Sequence, residues 1–389
     1  MTRLFHVTCI LLIVSAFSGC VNQAIFIPSS IALADLNGDG ALDLLVATTS
    51  DRGFASNTGF VRVIINTPAL YPTTGQDPSS IALGDLTASG SLDMVVANSS
   101  GSISVFLHGS TPGSFQTPVN LVTGGIPAKV VIGDVNGDGR PDLVVADASG
   151  SGNVMILLAN PASPGSFLTP FNLSTGVYNT SVAIADLNGD GKADIVAVGA
   201  DVSGNNGSAY VFYQSTPGTF SAPTVFPAGA QPQSVKVADL NADGLPDLVV
   251  ANYWIGLDGL GSPGVSVLLQ DAAHPGHFLS PVTYATGELS VDVAVGDLNG
   301  DGKPDLVVAN IAPEPTGSVS VLLQDPSSPG VFLAATNYPG FDHPLSVAIG
   351  DLNGDGKPDI AVADSTTATV LFQNVGAPGT FAKAVQVGN

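Results

Sequence analysis

Seven times along the chain a short alternating stretch leads into a cluster of Asp, Asn and Gly, and then into an unbroken apolar run. Ile31-Ala32-Leu33-Ala34 and Val293-Ala294-Val295-Gly296 show the alternation, with branched residues on one face and mostly Ala or Gly on the other. A period of two predicts a strand, and the small face predicts that another layer presses close against it. The apolar run after the cluster, such as Leu143 to Ala146 or Leu306 to Ala309, predicts a strand buried on both sides. A third strand is expected at stretches such as 318–323 (SVSVLL). The fourth is expected to begin at a Pro-Gly turn and a Phe, as at Pro112-Gly113-Ser114-Phe115, Pro164-Gly165-Ser166-Phe167 and Pro217-Gly218-Thr219-Phe220. The same device precedes Phe278, Phe332 and Phe381. Pro-Gly suits the centre of a type II turn, and the Phe is expected to fill the gap between neighbouring units.

The polar cluster first reads DLNGDGALD from Asp35, and recurs at Asp85, Asp134, Asp186, Asp239, Asp297 and Asp351. Its intervals of 50, 49, 52, 53, 58 and 54 residues each suit one four-stranded unit. The expected fold is therefore all-β: a seven-bladed β-propeller with about four antiparallel strands per blade. No stretch of useful length carries the pattern of an amphipathic helix. The first unit lacks the Pro-Gly-x-Phe device, which predicts a short or irregular outer strand there.

The form of the cluster is Asp-x-Asn-Gly-Asp-Gly-x-x-Asp, with oxygen-bearing side chains at positions 1, 3, 5 and 9. Ca²⁺ takes about six to eight oxygens, several of them charged, from a chain that wraps tightly. The Gly at position 6 permits the sharp turn, and the carbonyl of position 7 can add a ligand. Full sets stand in six loops. They are Asp35, Asn37, Asp39 and Asp43; Asp134, Asn136, Asp138 and Asp142; Asp186, Asn188, Asp190 and Asp194; Asp239, Asn241, Asp243 and Asp247; Asp297, Asn299, Asp301 and Asp305; and Asp351, Asn353, Asp355 and Asp359. The second loop keeps Asp85 and Asp93 but has Thr87 and Ser89 between them, which predicts a weak or empty site. Asn-Gly and Asp-Gly also make good hairpin turns without any metal. That alternative explains the glycines but not two further Asp at fixed flanking positions, since clustered carboxylates repel one another unless a cation neutralises them. The expected cofactor is Ca²⁺, at about six structural sites.

These residues carry a resemblance. Segments such as DLNGDGKPDLVVAN at 297–310, followed by SVSVLLQ and Pro-Gly-x-Phe, are similar to the FG-GAP (also called VCBS) repeats of integrin α-subunit propellers and many bacterial surface proteins. The resemblance covers nearly all of residues 20–389. It implies a seven-bladed propeller with Ca²⁺ loops between the first and second strands of each blade, mainly structural metals, and ligand binding on the opposite face.

Charge and the chain start narrow the functional classes. Formal net charge is −22, from 32 acidic and 10 basic residues, and 20 of the acids fall in the seven loops. Nucleic acid is therefore not an expected partner, because it requires a basic patch. Residues 1–19 read as a signal peptide, with Arg3 ahead of a short apolar stretch from Leu4 to Phe17. Ser18-Gly19-Cys20 resembles a bacterial lipobox, so Cys20 is the candidate lipidation site; ordinary signal cleavage is the alternative. The expected product is exported and lipid-anchored at the bacterial cell envelope, touching the membrane only through that anchor, and is monomeric.

The expected partner is an extracellular protein or glycan bound opposite the acidic loops, where the longer connections Thr48 to Gly59, Gly199 to Ser208, Asn252 to Gly264 and Asn310 to Gly317 lie. Tyr253 and Trp254 in the fifth unit are the ligand candidates, as a stacking platform; the plainer alternative folds Trp254 back over its own blade. Lys129, Lys236 and Asp292 break the pattern of the inner strands, either as contacts at the channel mouth or as solvated rim charges. The five His are scattered, and no spacing recommends a catalytic set. A binding or adhesion module is the favoured reading, with a lectin or, behind it, a polysaccharide lyase as alternatives.

Overall fold

The computed structural model describes residues 25–51, 58–63, 69–73, 75–201, 207–253, 264–312, 317–365, 367–382 and 385–387. Within them the chain forms seven four-stranded antiparallel sheets and no helix; six are meanders of consecutive strands, and in blade 4 a small hairpin of Gln214–Thr216 and Thr219–Phe220 stands between the third strand and the outer one. Blade 3 shows the pattern. Its inner strand Pro127–Gly133 pairs with Asp142–Asp147, that strand with Asn153–Leu157, and the last with the outer strand Phe171–Ser174. Every adjacent pair of inner strands is in contact around the whole circle, including Ile25–Ala34 of blade 1 against Pro344–Gly350 of blade 7. The architecture is a closed seven-bladed propeller.

The hydrophobic core is correspondingly divided into seven clusters, each shared by two adjacent blades. Leu187, Val196 and Val211 of blade 4, for example, pack with Val235, Leu248 and Val250 of blade 5. The alternation along the inner strands explains how tightly they approach. Gly133 closes the inner strand of blade 3, and a Cβ there would lie 3.0 Å from the Cδ1 of Ile184 in blade 4. Gly84 stands likewise against Ile132, Gly296 against Ile349, and Gly350 against Leu33. The last of these closes the ring, where Ile31, Leu44 and Val46 meet Ala361, Ala363 and Ala368. The final blade is completed by its own Val385–Val387, so closure rests on side-chain packing rather than on a strand borrowed from the other end.

Two expectations need correction. The Phe of the Pro-Gly-x-Phe device does not open the fourth strand. Phe115, Phe167, Phe278, Phe332 and Phe381 each form an isolated bridge to the end of the preceding segment, and the outer strand starts four residues later, as at Val119 after Phe115. The Phe ring turns instead to the preceding blade. Phe115 meets Tyr71 edge-on at 5.2 Å, Phe278 meets Phe226 at 5.2 Å, Phe332 meets Tyr284 at 5.5 Å and Phe381 meets Tyr338 at 5.8 Å. Edge-to-face pairs of this kind add about 0.5–1.5 kcal/mol each beyond their burial. The second correction is blade 1, whose outer strand Ala69–Pro72 is regular and as long as Val119–Val122 of blade 2, despite the missing device.

A side chain at the small face of an inner strand should wedge two blades apart. Gly133→Val is expected to lower unfolding free energy by about 1–3 kcal/mol, the usual cost of overpacking, measured by urea denaturation. An unchanged midpoint would mean that the blades do not meet as closely as this packing requires.

Candidate functional site

Each acidic loop joins the inner strand of a blade to its second strand, and all seven adopt one conformation. The position-1 Asp caps the turn: its Oδ2 accepts the amide of the position-6 Gly at 2.6–2.9 Å in every blade. In the six full loops the Asn Oδ1 at position 3 accepts the position-5 amide at 2.8–3.0 Å. The position-5 Asp accepts the position-7 amide over the same range. Position 4 sits in the left-handed region, which Gly adopts without steric cost. Gly38, Gly137, Gly189, Gly300 and Gly354 fill it in five blades, while Ala88 and Ala242 hold φ of 55° and 59° in the other two.

The position-9 Asp has a different task. Asp43, Asp93, Asp142, Asp194, Asp247, Asp305 and Asp359 are buried, and the Oδ2 of each accepts the position-2 amide at 2.8–3.1 Å. In blades 2 to 7 the Oδ1 accepts a second amide just past the third strand, at 2.7–2.9 Å. In blade 1 the counterpart of that amide lies outside the described residues. This carboxylate therefore ties loop, second strand and third strand together. Burial pushes Asp142, Asp194, Asp247 and Asp305 up to about 6 against the pull of those amides, and the charges of positions 1 and 5 add to the rise. Some relief comes from the chain itself, through Lys192 on Asp190 at 2.8 Å and Arg140 on Asp138 at 3.4 Å, both exposed pairs of small energetic value.

The loop is also the joint between blades. The Pro-Gly turn of each blade from 3 to 7 rests on position 3 of the loop before it, so that a Cβ on Gly276 would lie 3.2 Å from the Cβ of Asn188. Gly330 and Gly379 stand equally close to Asn241 and Asn299. The position-2 carbonyl accepts a donor from the next blade: Leu36 from the Gly113 amide at 3.0 Å, Leu240 from Gln324 Nε2 at 2.8 Å, Leu298 from Gln373 Nε2 at 2.7 Å, and Val135 from Gln214 Nε2. The sequence reading passed over these glutamines. Their signal was present in the Gln that recurs just past the third strand in blades 4 to 7, as in Leu322-Leu323-Gln324 and Leu371-Phe372-Gln373.

Blade 2 departs from the others as its sequence suggested. Asp85 still accepts the amides of Ser89 and Gly90, at 3.0 and 2.6 Å, and the Ser89 hydroxyl accepts the Ser91 amide at 3.2 Å in place of a carboxylate. His108 occupies the Gln position, with its Nδ1 2.9 Å from Asp93 Oδ1. Among the described residues, no three acidic, His or Cys side chains converge as a finished metal centre. The acidic oxygens turn onto their own loop's amides instead.

On the opposite face the second strands end in polar residues. Asp147 accepts four hydrogen bonds, from the amides of Ile126 and Ser149 and the hydroxyls of Ser149 and Ser151, at 2.5–2.8 Å. Tyr253 is half-buried beside the second strand of blade 5, its amide bonded to the Gln231 carbonyl at 2.9 Å. Trp254 lies outside the described residues, as do Cys20 and most of the longer connections on this face. Lys129, Lys236 and Asp292 sit on inner strands; the two lysines are partly exposed, and Asp292 is buried at 7% exposure.

A closed ring of four-stranded meanders, jointed through acidic loops, defines a repeat propeller. A family model described as FG-GAP-like repeat matches residues 85–145, 134–197, 199–250, 253–308 and 304–362, and one described as FG-GAP repeat matches residues 28–64. The chain belongs to the FG-GAP repeat family. It is 34% identical to integrin alpha-7 of Homo sapiens over 153 residues, covering 36% of this chain and 12% of that protein. Among solved structures, BBS1N in complex with ARL6DN is similar with a TM-score of 0.56 at 16% identity, covering 91% of this chain and 94% of that one. The Dos1 propeller is similar with a TM-score of 0.52 at 13% identity, covering 84% and 75% of the two chains. These two likenesses concern the fold.

The raised position-9 carboxylates generate a pH dependence. A carboxyl whose folded pKa exceeds its unfolded value stabilises the fold fully below the unfolded pKa, and loses that contribution as pH rises through the folded one. The unfolded value is 3.8 and the folded one about 6 for Asp142, Asp194, Asp247 and Asp305. The metal-free chain should therefore lose stability as pH rises across that window, measured by denaturation at fixed ionic strength. A stability that climbs steadily over the same interval would contradict the crowding of charge at these loops.

Proposed function

We propose that the chain is a calcium-stabilised, extracytoplasmic binding module, a rigid propeller that presents its non-metal face to a protein or glycan partner. Blade 2 is the observation that carries the metal reading. Its loop keeps the same capped turn with Thr87 and Ser89 where the others have Asn and Asp. The turn thus does not require the third carboxylate, and what that carboxylate adds in the other six loops is charge. Six loops that concentrate three carboxylates each, one of them buried, are a donor set suited to a hard divalent cation. In blade 1 the holders would be Asp35, Asn37, Asp39 and Asp43, with the Ala41 carbonyl, and their counterparts serve in blades 3 to 7. Six such ions would bring the formal charge from −22 to −10. In blade 2 the imidazole of His108 stands against Asp93, which fits a loop that does without metal.

A binding role rather than catalysis is supported by the arrangement of the side chains. The His–Asp pairs His108–Asp93, His274–Asp271 and His343–Asp342 belong to three different blades, and among the described residues none of these imidazoles bonds a hydroxyl or thiol. The similarity to integrin alpha-7, although it spans only 12% of that protein, points to the same class. The signal-like residues 1–19 and Cys20 support export and anchoring, which would place the loops in a calcium-rich medium.

Thermal unfolding of residues 21–389 in chelator and in added Ca²⁺ or Mg²⁺ tests the metal reading. An ion that binds only the folded state stabilises it by about 2.7 kcal/mol per site at a hundredfold excess over Kd. A Ca²⁺-selective rise in melting temperature is expected, with Asp138→Ala losing a part of it. A melting curve indifferent to calcium, chelator and that substitution would reduce the loops to hairpin turns.

A further inference from the structure

The Pro-Gly turn of blade 5 breaks a pattern that the other blades keep. The two residues flanking Pro-Gly are elsewhere Ser, Thr, Ala or Val, as with Ser163 and Ser166 in blade 3 or Ala377 and Thr380 in blade 7. In those two blades the second hydroxyl folds back onto the carbonyl of the first residue, at 2.7 and 2.6 Å. Blade 5 has His274 and His277 at these places. The His274 carbonyl accepts the His277 amide at 2.9 Å, so the two residues close a single β-turn. Both are exposed, and their ring centres stand 6.3 Å apart with the planes at 77°.

The turn that carries them is held from several sides. The Gly276 amide donates to Gln270 Oε1 at 2.9 Å, the Gly276 carbonyl accepts the Tyr213 hydroxyl of blade 4, and the Asp271 amide donates to the His277 carbonyl at 2.7 Å. The His277 ring also meets Phe226 of blade 4 edge-on at 6.3 Å. Asp271 Oδ2 lies 2.8 Å from His274 Nδ1. A carboxylate at that place takes the proton on Nδ1 and leaves the lone pair on Nε2, as the outer partner of a metal-bound imidazole does. Among the described residues, neither Nε2 of His274 nor a ring nitrogen of His277 has a hydrogen-bond partner. Nothing inside the chain uses this pair of nitrogens.

We propose that His274 and His277 form a two-nitrogen site for a divalent transition-metal ion of the zinc and copper class, with Asp271 orienting His274. Two imidazole nitrogens about 2.0–2.1 Å from one ion set their ring centres about 5–6 Å apart. The observed 6.3 Å closes to that range by a small rotation of either exposed ring, a motion such side chains make freely. The remaining coordination positions are open to water. The turn rests on the blade 4 loop, where a Cβ on Gly276 would lie 3.2 Å from the Cβ of Asn188, so the site adjoins an acidic loop but differs from it in chemistry. Imidazole nitrogen suits Zn²⁺ and Cu²⁺, whereas carboxylate and carbonyl oxygens suit Ca²⁺. The pair stands whether or not the loops hold calcium.

Calorimetric titration of residues 21–389, free of any affinity tag and in millimolar calcium, with zinc chloride tests the proposal. One saturable site is expected in the native chain, and the excess calcium should not displace it. His274→Ala and His277→Ala should each abolish that site; both side chains are exposed, and an unchanged melting temperature in calcium verifies that the variants are folded. Asp271→Asn should weaken binding by about tenfold, the usual effect of losing the carboxylate behind a ligating imidazole. Electron paramagnetic resonance of the native chain with one equivalent of Cu²⁺ gives a readout that needs no variant, since two coordinated imidazoles split the signal through their nitrogens. No saturable zinc heat, a zinc site that calcium displaces, equal binding in the two His→Ala variants, or copper coordinated by oxygen alone would overturn the proposal.

Discussion

The structure depends on one buried carboxylate per blade, the Asp at position 9 of the acidic loop. Its two oxygens hold the loop's second amide and an amide at the end of the third strand, so a single side chain fixes the turn at one edge of the sheet to the strand two places away. Once the loop is fixed, its position-2 carbonyl and position-3 side chain become the surface on which the next blade is built. Gln324, Gln373 and the Pro-Gly turns use it, and the Phe that follows each turn docks against the outer strand of the blade before. In the six full loops the same residue carries the main liability of the fold, since burial, in sight of two other carboxylates, raises its pKa. A cation at the loop would relieve that repulsion, and would thereby link metal binding to the packing of neighbouring blades.

Much of this was legible in the chain because a repeat states its rules seven times. The alternation of branched and small residues predicted the inner strands, and Gly133 against Ile184 shows why the small side was needed. The full and the degenerate loops were also separable by their oxygens alone. Less legible were interactions that join positions many residues apart. Gln214 reaches Val135 across 79 residues, and no local pattern says which carbonyl a glutamine will find. The start of the outer strand was misread for a related reason. Pro-Gly-x-Phe has the form of a turn entering a strand, yet the Phe spends its burial on the preceding blade and its backbone makes only one bridge. Trp254 and Cys20 carried expectations that the described residues do not reach.

The inner ring shows how a repeat accommodates exceptions. Serine serves as the inter-blade acceptor in blades 1, 2 and 4, Asp292 of blade 6 accepts from the blade on either side of it, and Lys129 has no lone pair to offer. Substitutions that only preserved packing would have kept Ser or Ala.

The central claim is that the acidic loops are cation sites on which the joints between blades rely. Counting calcium bound to the purified chain at equilibrium, by dialysis followed by elemental analysis, tests it most directly. The account predicts six ions, one for each full loop, with none at the blade 2 loop of Asp85 and Asp93. A chain that retains no calcium at millimolar free ion, or that fills all seven loops equally, would contradict it.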